Sequence, residues 1–72
     1  MSVADRPKRV PETRWEVTFE SLASGNFVTQ VVRANDPDDA IPNAATILAQ
    51  GHHLTFDQFG RSYRLIRVSR QA

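Results

Sequence analysis

The clearest structural pattern in the sequence is Trp15-Glu16-Val17-Thr18-Phe19-Glu20, in which apolar and polar residues alternate. Successive side chains of a β-strand point to opposite faces, so this alternation predicts a strand that is buried on one side. A second run of β-favouring residues occupies 27–34, and the segment between the runs contains Gly25 and Asn26, both of which tolerate positive φ. The sequence therefore predicts an antiparallel hairpin.

The second run does not determine the register of that hairpin. Phe27 and Val31 mark one of its faces, whereas Val28 and Val32 mark the other. A shift of one residue exchanges the two faces of a strand, so either pair is compatible with a core position. The register stays open at this point, and the second strand is expected to be covered at least in part on both sides.

A helix is predicted next, beginning within Asn35-Asp36-Pro37-Asp38-Asp39 and ending at Gly51. Asn or Asp caps the free N–H groups of a helix, and acidic residues in the first turn complement its dipole. An apolar stripe follows at helical spacing, formed by Ile41, Ala44, Ala45 and Leu48 with Ile47 nearby. Pro42 is unfavourable in a helix interior, so either the regular helix begins near Asp39 or its first turn is kinked.

Two strands are predicted after the helix, a short one at 52–57 and a longer one at 63–69, with a turn at 58–61. The expected fold is therefore α+β, with a small antiparallel sheet of three to four strands in the order β-β-α-β-β. One helix packs on one face of the sheet. This single domain is expected to span residues 14–72, and the aperiodic, proline-containing residues 1–13 are expected to form a flexible tail.

Composition restricts the function classes. The chain has 72 residues, 40% of them apolar, and no cysteine, which excludes a disulfide framework and a thiolate nucleophile. No apolar run reaches the roughly 20 residues of a membrane span. No apolar stretch follows the N-terminal charges, as it would in a secretory signal. We therefore expect a soluble cytoplasmic protein with no membrane association.

Residues with catalytic or metal-binding chemistry are sparse. His52, His53 and Asp57 are the nearest approach to a metal site, but adjacent histidines in a strand point to opposite faces. The acidic residues at 36–39 lack the glycine and the distal glutamate of a calcium loop. Neither a P-loop nor a dinucleotide fingerprint occurs. We expect no enzymatic activity, no metal or cofactor, and no small-molecule substrate.

The segments Trp15–Glu20 and Val31–Ile41 carry a resemblance to a group of short proteins of unassigned function from actinobacteria and their phages. In that group a hairpin ends in an alanine-acid-proline link, and a helix of the form acid-acid-Ala-Ile-x-x-Ala follows. Ala40, Ile41, Ala44 and Ala45 match this form over roughly 35 residues, whereas Pro42 departs from it. The resemblance implies a small phage or mobile-element accessory protein, of hairpin–helix–strand architecture, that acts by binding a partner. It transfers no catalytic residue.

The charge distribution and the last strand suggest where such binding occurs. The net charge of +1 combines +2 over residues 1–14, −5 over 15–60 and +4 over 61–72. The first hypothesis is a non-enzymatic protein-interaction module, a homodimer or a partner-docking protein. Its expected contact is an open sheet edge or the outward face of the last strand, with Tyr63, Leu65 and Arg67.

Two other hypotheses remain. The first is a nucleic-acid-binding protein whose basic C-terminal strand and N-terminal tail contact phosphate. Its expected contacts are Arg61, Arg64, Arg67, Arg70, Arg6, Lys8 and Arg9. The aromatic residues Trp15, Phe19 and Phe27 are expected to pack in the core rather than to stack on nucleotide bases. The second is a structural subunit of a larger assembly such as a virion.

Overall fold

The computed structural model describes residues 13–71, which form three strands and two helices. In chain order these are β1 (Arg14–Ser21), β2 (Phe27–Arg33), α1 (Pro37–Gly51), α2 (Phe56–Ser62) and β3 (Tyr63–Gln71). The α+β class and the antiparallel sheet are confirmed, whereas the predicted order β-β-α-β-β is wrong. Residues 1–12 of the predicted tail lie outside the described residues, and the carbonyl of Thr13 accepts a hydrogen bond from the Ala34 amide at 3.1 Å.

The sheet has the strand order β2-β1-β3, so the alternating strand at 14–21 is central and pairs antiparallel with both neighbours. Its pairing with β2 places Val32 opposite Trp15 and Val28 opposite Phe19. Residues directly opposite in an antiparallel pair share a face of the sheet. The register left open by the sequence therefore directs Val28 and Val32 toward the helices.

The core lies between the sheet and α1. Val17, Phe19 and Val32 from the sheet meet four fully or nearly fully buried alanines of α1: Ala40, Ala44, Ala45 and Ala49. Of the predicted apolar stripe, Ala44 and Ala45 are buried, Ile41 and Leu48 are half-buried, and Ile47 is exposed. The helix face that meets the sheet is thus lined by small side chains.

The start of α1 follows the predicted capping signal. The side chain of Asp36 accepts a hydrogen bond from the Asp39 amide at 2.9 Å, and Pro37 occupies the first helical position. Pro42 lies inside the helix, so the alternative in which the regular helix begins near Asp39 is wrong. Its ring leaves the helix without one amide donor, and it stands on the exposed surface of α1.

The end of α1 uses a histidine where glycine is common. The His53 amide bonds to the Gln50 carbonyl at 3.1 Å, and the Leu54 amide bonds to the Ala49 carbonyl at 2.8 Å. These two bonds form a Schellman motif, which requires a left-handed residue at its turn. That residue is His53, with φ 60°, rather than Gly51.

The short strand predicted at 52–57 and the turn predicted at 58–61 are both wrong, because this region forms the Schellman turn and helix α2. Helix α2 begins with a capping box. The Gln58 amide donates to the Thr55 hydroxyl at 3.1 Å, and the Gln58 side chain accepts from the Thr55 amide at 2.9 Å. The Thr-x-x-Gln spacing that encodes this box is visible in the sequence and outweighs the β preference of the short apolar run.

Helix α2 is held by one buried aromatic residue. Phe59 is 1% exposed. Its ring centroid lies 5.1 Å from that of Phe19, in an edge-to-face contact, and 4.4 Å from that of Tyr63, in a stacked contact. The Tyr63 ring also lies 5.7 Å from that of His52. Because Tyr63 is the first residue of β3, this cluster connects α2 to both β1 and β3.

Candidate protein-interaction surface

The face of the sheet that points away from the helices is not covered by any element of residues 13–71. The cross-strand registers assign to it one alternate set of side chains from each strand. This set, called the open face below, consists of Arg14, Glu16, Thr18, Glu20, Phe27, Thr29, Val31, Arg33, Arg64, Arg67, Ser69 and Gln71. The sheet therefore has one face covered by the helices and one face, the open face, that no element of residues 13–71 covers.

Apolar side chains are exposed on or beside this face. Phe27 is 64% exposed and Val31 is 39% exposed, both on β2. Ile66, at the β-bulge of β3, is 43% exposed. Phe27 and Val31 are separated by Thr29 along β2, whereas Ile66 lies on the other edge strand, across β1. The prediction that Phe27 packs in the core is wrong, because the register directs Val28 inward instead.

The centre of the open face holds a polar contact between buried Thr18 and exposed Thr29. The hydroxyls of Thr18 and Thr29 lie 3.0 Å apart, and Thr18 is only 8% exposed although no described element covers this face. Arg67 stands directly opposite Thr18 on β3, and the stem of a long side chain can shield such a neighbour from solvent. A side-chain hydrogen bond thus joins the central strand to β2 in the middle of the open face.

Charge divides between the two sides of the described domain. The open face carries Arg14, Arg33, Arg64 and Arg67 against Glu16 and Glu20, an excess of two positive charges. Residues 34–62, which include both helices, carry Asp36, Asp38, Asp39 and Asp57 against Arg61, and Arg70 shares the covered face, which leaves an excess of two negative charges on that side. The described domain is therefore electrically polar across its thickness.

The arginines of the open face differ in their partners. Arg64 Nε donates to Glu20 Oε1 at 2.8 Å, a surface ion pair. Arg14 and Arg33 stand directly opposite each other, and neither they nor Arg67 form an ion pair with a carboxylate of residues 13–71. Like charges opposite each other in a sheet are unfavourable on their own, so this pair suits an acidic partner.

The predicted contact set of Tyr63, Leu65 and Arg67 is not brought together on one face. The pairing of β1 with β3 shifts between Thr18 and Phe19, so that Ile66 is an extra residue in β3. The bulge leaves Tyr63 and Leu65 in register with the covered face, and Arg67 with the open face. Tyr63 stacks on Phe59, whereas Leu65 remains exposed near the covered side.

The arginines proposed for phosphate binding are also divided. Arg64 and Arg67 lie on the open face, Arg70 pairs opposite Trp15 at the end of β3, and Arg61 lies in α2. Arg61 lines an open groove with Leu22, Leu54 and Tyr63. Arg6, Lys8 and Arg9 lie outside the described residues. Arg14 and Arg33 are 19 residues apart in the sequence, and only the hairpin register brings them together.

Two further features bear on chemistry. His52 lies beside the Tyr63 ring and His53 occupies the Schellman turn, and residues 13–71 contain no group of three or more potential metal-ligating side chains. Within the same residues, no helix has both the length and the apolar character needed to cross a membrane.

Comparison with known proteins gives no relative on which to base a function. No protein-family model, no curated protein and no solved structure matches the chain.

Proposed function

We propose that this chain is a small, non-enzymatic, cytoplasmic protein-interaction module, and that it binds its partner with the open face of its sheet. The observation that carries the proposal is the adjacency of exposed apolar side chains and arginines on an uncovered sheet face. Aromatic residues and arginine are enriched in protein interfaces, whereas lysine and glutamate are depleted. The role of an accessory protein, of phage or mobile-element type, fits a chain of this size that acts by occupying another protein.

The composition of the open face also indicates the chemistry of the partner. Phe27 and Val31 of the open face, with Ile66 at the bulge of β3, offer apolar contact, and Arg14, Arg33 and Arg67 offer positive charge that is not paired with a carboxylate of residues 13–71. Planar guanidinium groups bind carboxylates in bidentate geometry. We therefore propose a partner surface that combines acidic and apolar side chains.

A peptide-display selection against the folded full-length chain tests the proposal. We expect the enriched sequences to combine Asp or Glu with Leu, Ile or aromatic residues. Binding of a synthetic peptide from that pool should fall at least tenfold in Ile66→Ser and in Arg67→Glu, a loss of about 1.4 kcal/mol or more. Acid-poor enriched sequences, or binding unaffected by both substitutions, would contradict the proposal.

The chain contains a matched control for the apolar substitution. Ile47 is 45% exposed, close to the 43% of Ile66, but it lies on α1 on the other side of the domain. Ile47→Ser should leave peptide binding unchanged while removing a similar amount of exposed apolar surface. An equal loss in both variants would indicate nonspecific adhesion rather than an open-face site.

Nucleic acid is the second candidate ligand, favoured by the opposed pair of Arg14 and Arg33. A phosphate group between these side chains would relieve their repulsion. Titration of duplex and single-stranded DNA at low and moderate salt separates the candidates. Affinity that falls steeply with salt and is lost in Arg33→Gln, with no peptide enrichment, would favour nucleic acid over an acidic protein.

A further inference from the structure

The two outer edges of the sheet differ in what their backbones offer, beginning with β2. The Ala34 amide bonds to the Thr13 carbonyl, and the Ser21 amide bonds to the Asn26 carbonyl. Hydrogen-bonded and non-hydrogen-bonded pairs alternate along an antiparallel ladder. In the register of β1 and β2, the backbone groups of Val28, Gln30 and Val32 therefore point toward β1. Those of Phe27, Thr29, Val31 and Arg33 point away from the sheet.

This outer edge of β2 lacks the usual devices that prevent strand pairing. It contains no proline, no lysine and no bulge, and its one charged residue, Arg33, stands at its end. Natural edge strands are commonly blocked by such features. The side chain of Gln30 reaches toward this edge, where its Nε2 donates to the Val31 carbonyl at 3.1 Å.

We propose that β2 pairs antiparallel with β2 of a second copy of this chain, which joins two three-stranded sheets into one. The proposal goes beyond the proposed function, since it concerns the edge of the sheet and not its open face. A second copy fits because one register is self-complementary. With the two-fold axis at Gln30, Phe27 stands opposite Arg33 of the other copy, and Thr29 stands opposite Val31.

That register uses all four outward-pointing residues of each strand, and every pair exchanges both backbone hydrogen bonds. It sets each exposed Phe27 ring beside a guanidinium group, a cation–π arrangement, and keeps the two Arg33 side chains apart. Registers centred on Thr29 or Val31 leave an outward residue of β2 without a partner in the opposing β2. The Gln30 amide must release the Val31 carbonyl when the strands pair.

Sedimentation over a concentration series of the full-length chain tests the proposal. We expect a reversible monomer–dimer equilibrium that Val31→Pro weakens at least tenfold, because proline removes the outward-pointing amide while sparing the bonds to β1. Arg70→Pro is the matched control. Arg70 pairs with Trp15, whose backbone groups point to β2, so the Arg70 amide points outward from the opposite edge. Dimerisation of the Arg70→Pro variant should therefore be unchanged.

Amide hydrogen exchange of the unmodified chain gives a second measurement that requires no variant. In the dimer, the amides of Phe27, Thr29, Val31 and Arg33 should gain protection as concentration rises, whereas that of Arg70 should not. A chain that stays monomeric to its solubility limit, or protection that appears on β3 instead, overturns the proposal. Ile66→Ser should leave the dimer intact, so failure of the open-face proposal is distinguishable from failure of this one.

Discussion

The edges β2 and β3 flank the same central strand, yet they are built in opposite ways. β3 has nine residues, a bulge at Ile66 and three arginines, and its first residue is stacked under α2. β2 has seven residues, regular pairing along its length and a single charge. Bulges and charged side chains discourage the addition of another strand. Within residues 13–71, β3 is therefore protected against strand addition by its own sequence, whereas β2 is not.

The largest effect is expected where the protected edge depends on α2. Phe59→Ala removes the ring that contacts both Phe19 and Tyr63, and truncation of a buried phenylalanine costs about 3–5 kcal/mol. Urea unfolding should show this loss of stability. In amide hydrogen exchange, the β3 amides should lose protection first. Phe59→Leu should retain a substantial part of the stability. A loss below about 1 kcal/mol would show that β3 is held without α2.

A charge placed on the available edge should make it resemble the protected one. Val31→Lys puts a cation in the middle of the β2 edge, next to Thr29 of the second copy in the proposed dimer. We expect dimerisation to weaken at least tenfold, or about 1.4 kcal/mol, in sedimentation experiments. Ile66→Lys, a similar substitution on β3, should leave dimerisation unchanged. Equal weakening by both would mean that overall charge, not edge pairing, controls association.

The capping box of α2 offers a smaller change near the protected edge. Thr55→Ala removes the hydroxyl that accepts the Gln58 amide, and loss of an N-cap costs about 1 kcal/mol. Thr55→Ser retains that hydroxyl and should be close to neutral. Denaturant midpoints of the two variants provide the measurement. If alanine and serine behave alike, the capping box does not contribute to the stability of α2.

The smallest expected effect is a gain at the turn between the helices. His53 adopts φ 60°, a conformation that favours glycine, so His53→Gly should stabilise the fold by up to about 1 kcal/mol. His52→Gly should give no such gain, because His52 has φ −102° and its ring lies beside Tyr63. Thermal unfolding of both variants checks the difference, and a stabilised His52→Gly would contradict it.

The elements that the sequence predicted well are those with a strong local signal. The alternation of Trp15 to Glu20 and the Asp36 cap each specify their structure through neighbours a few residues away. The candidate site was harder to predict from the sequence, because it depends on cross-strand register. The bulge at Ile66 separates Arg67 from Tyr63, and the pairing of Arg14 with Arg33 joins residues that are distant in the chain. The Thr55–Gln58 spacing, by contrast, is a local signal for the start of α2, and the strand predicted at 52–57 did not take it into account.

The hydrogen bond of Trp15 has a practical consequence. Its indole Nε1 donates to the Ala34 carbonyl at 3.0 Å, which connects the central strand to the link between β2 and α1. Trp15 is the single tryptophan of the chain and lies on the covered face. Its fluorescence emission will therefore report whether the sheet and helix are assembled. A ligand on the open face does not touch the indole, so one optical signal can follow folding independently of binding.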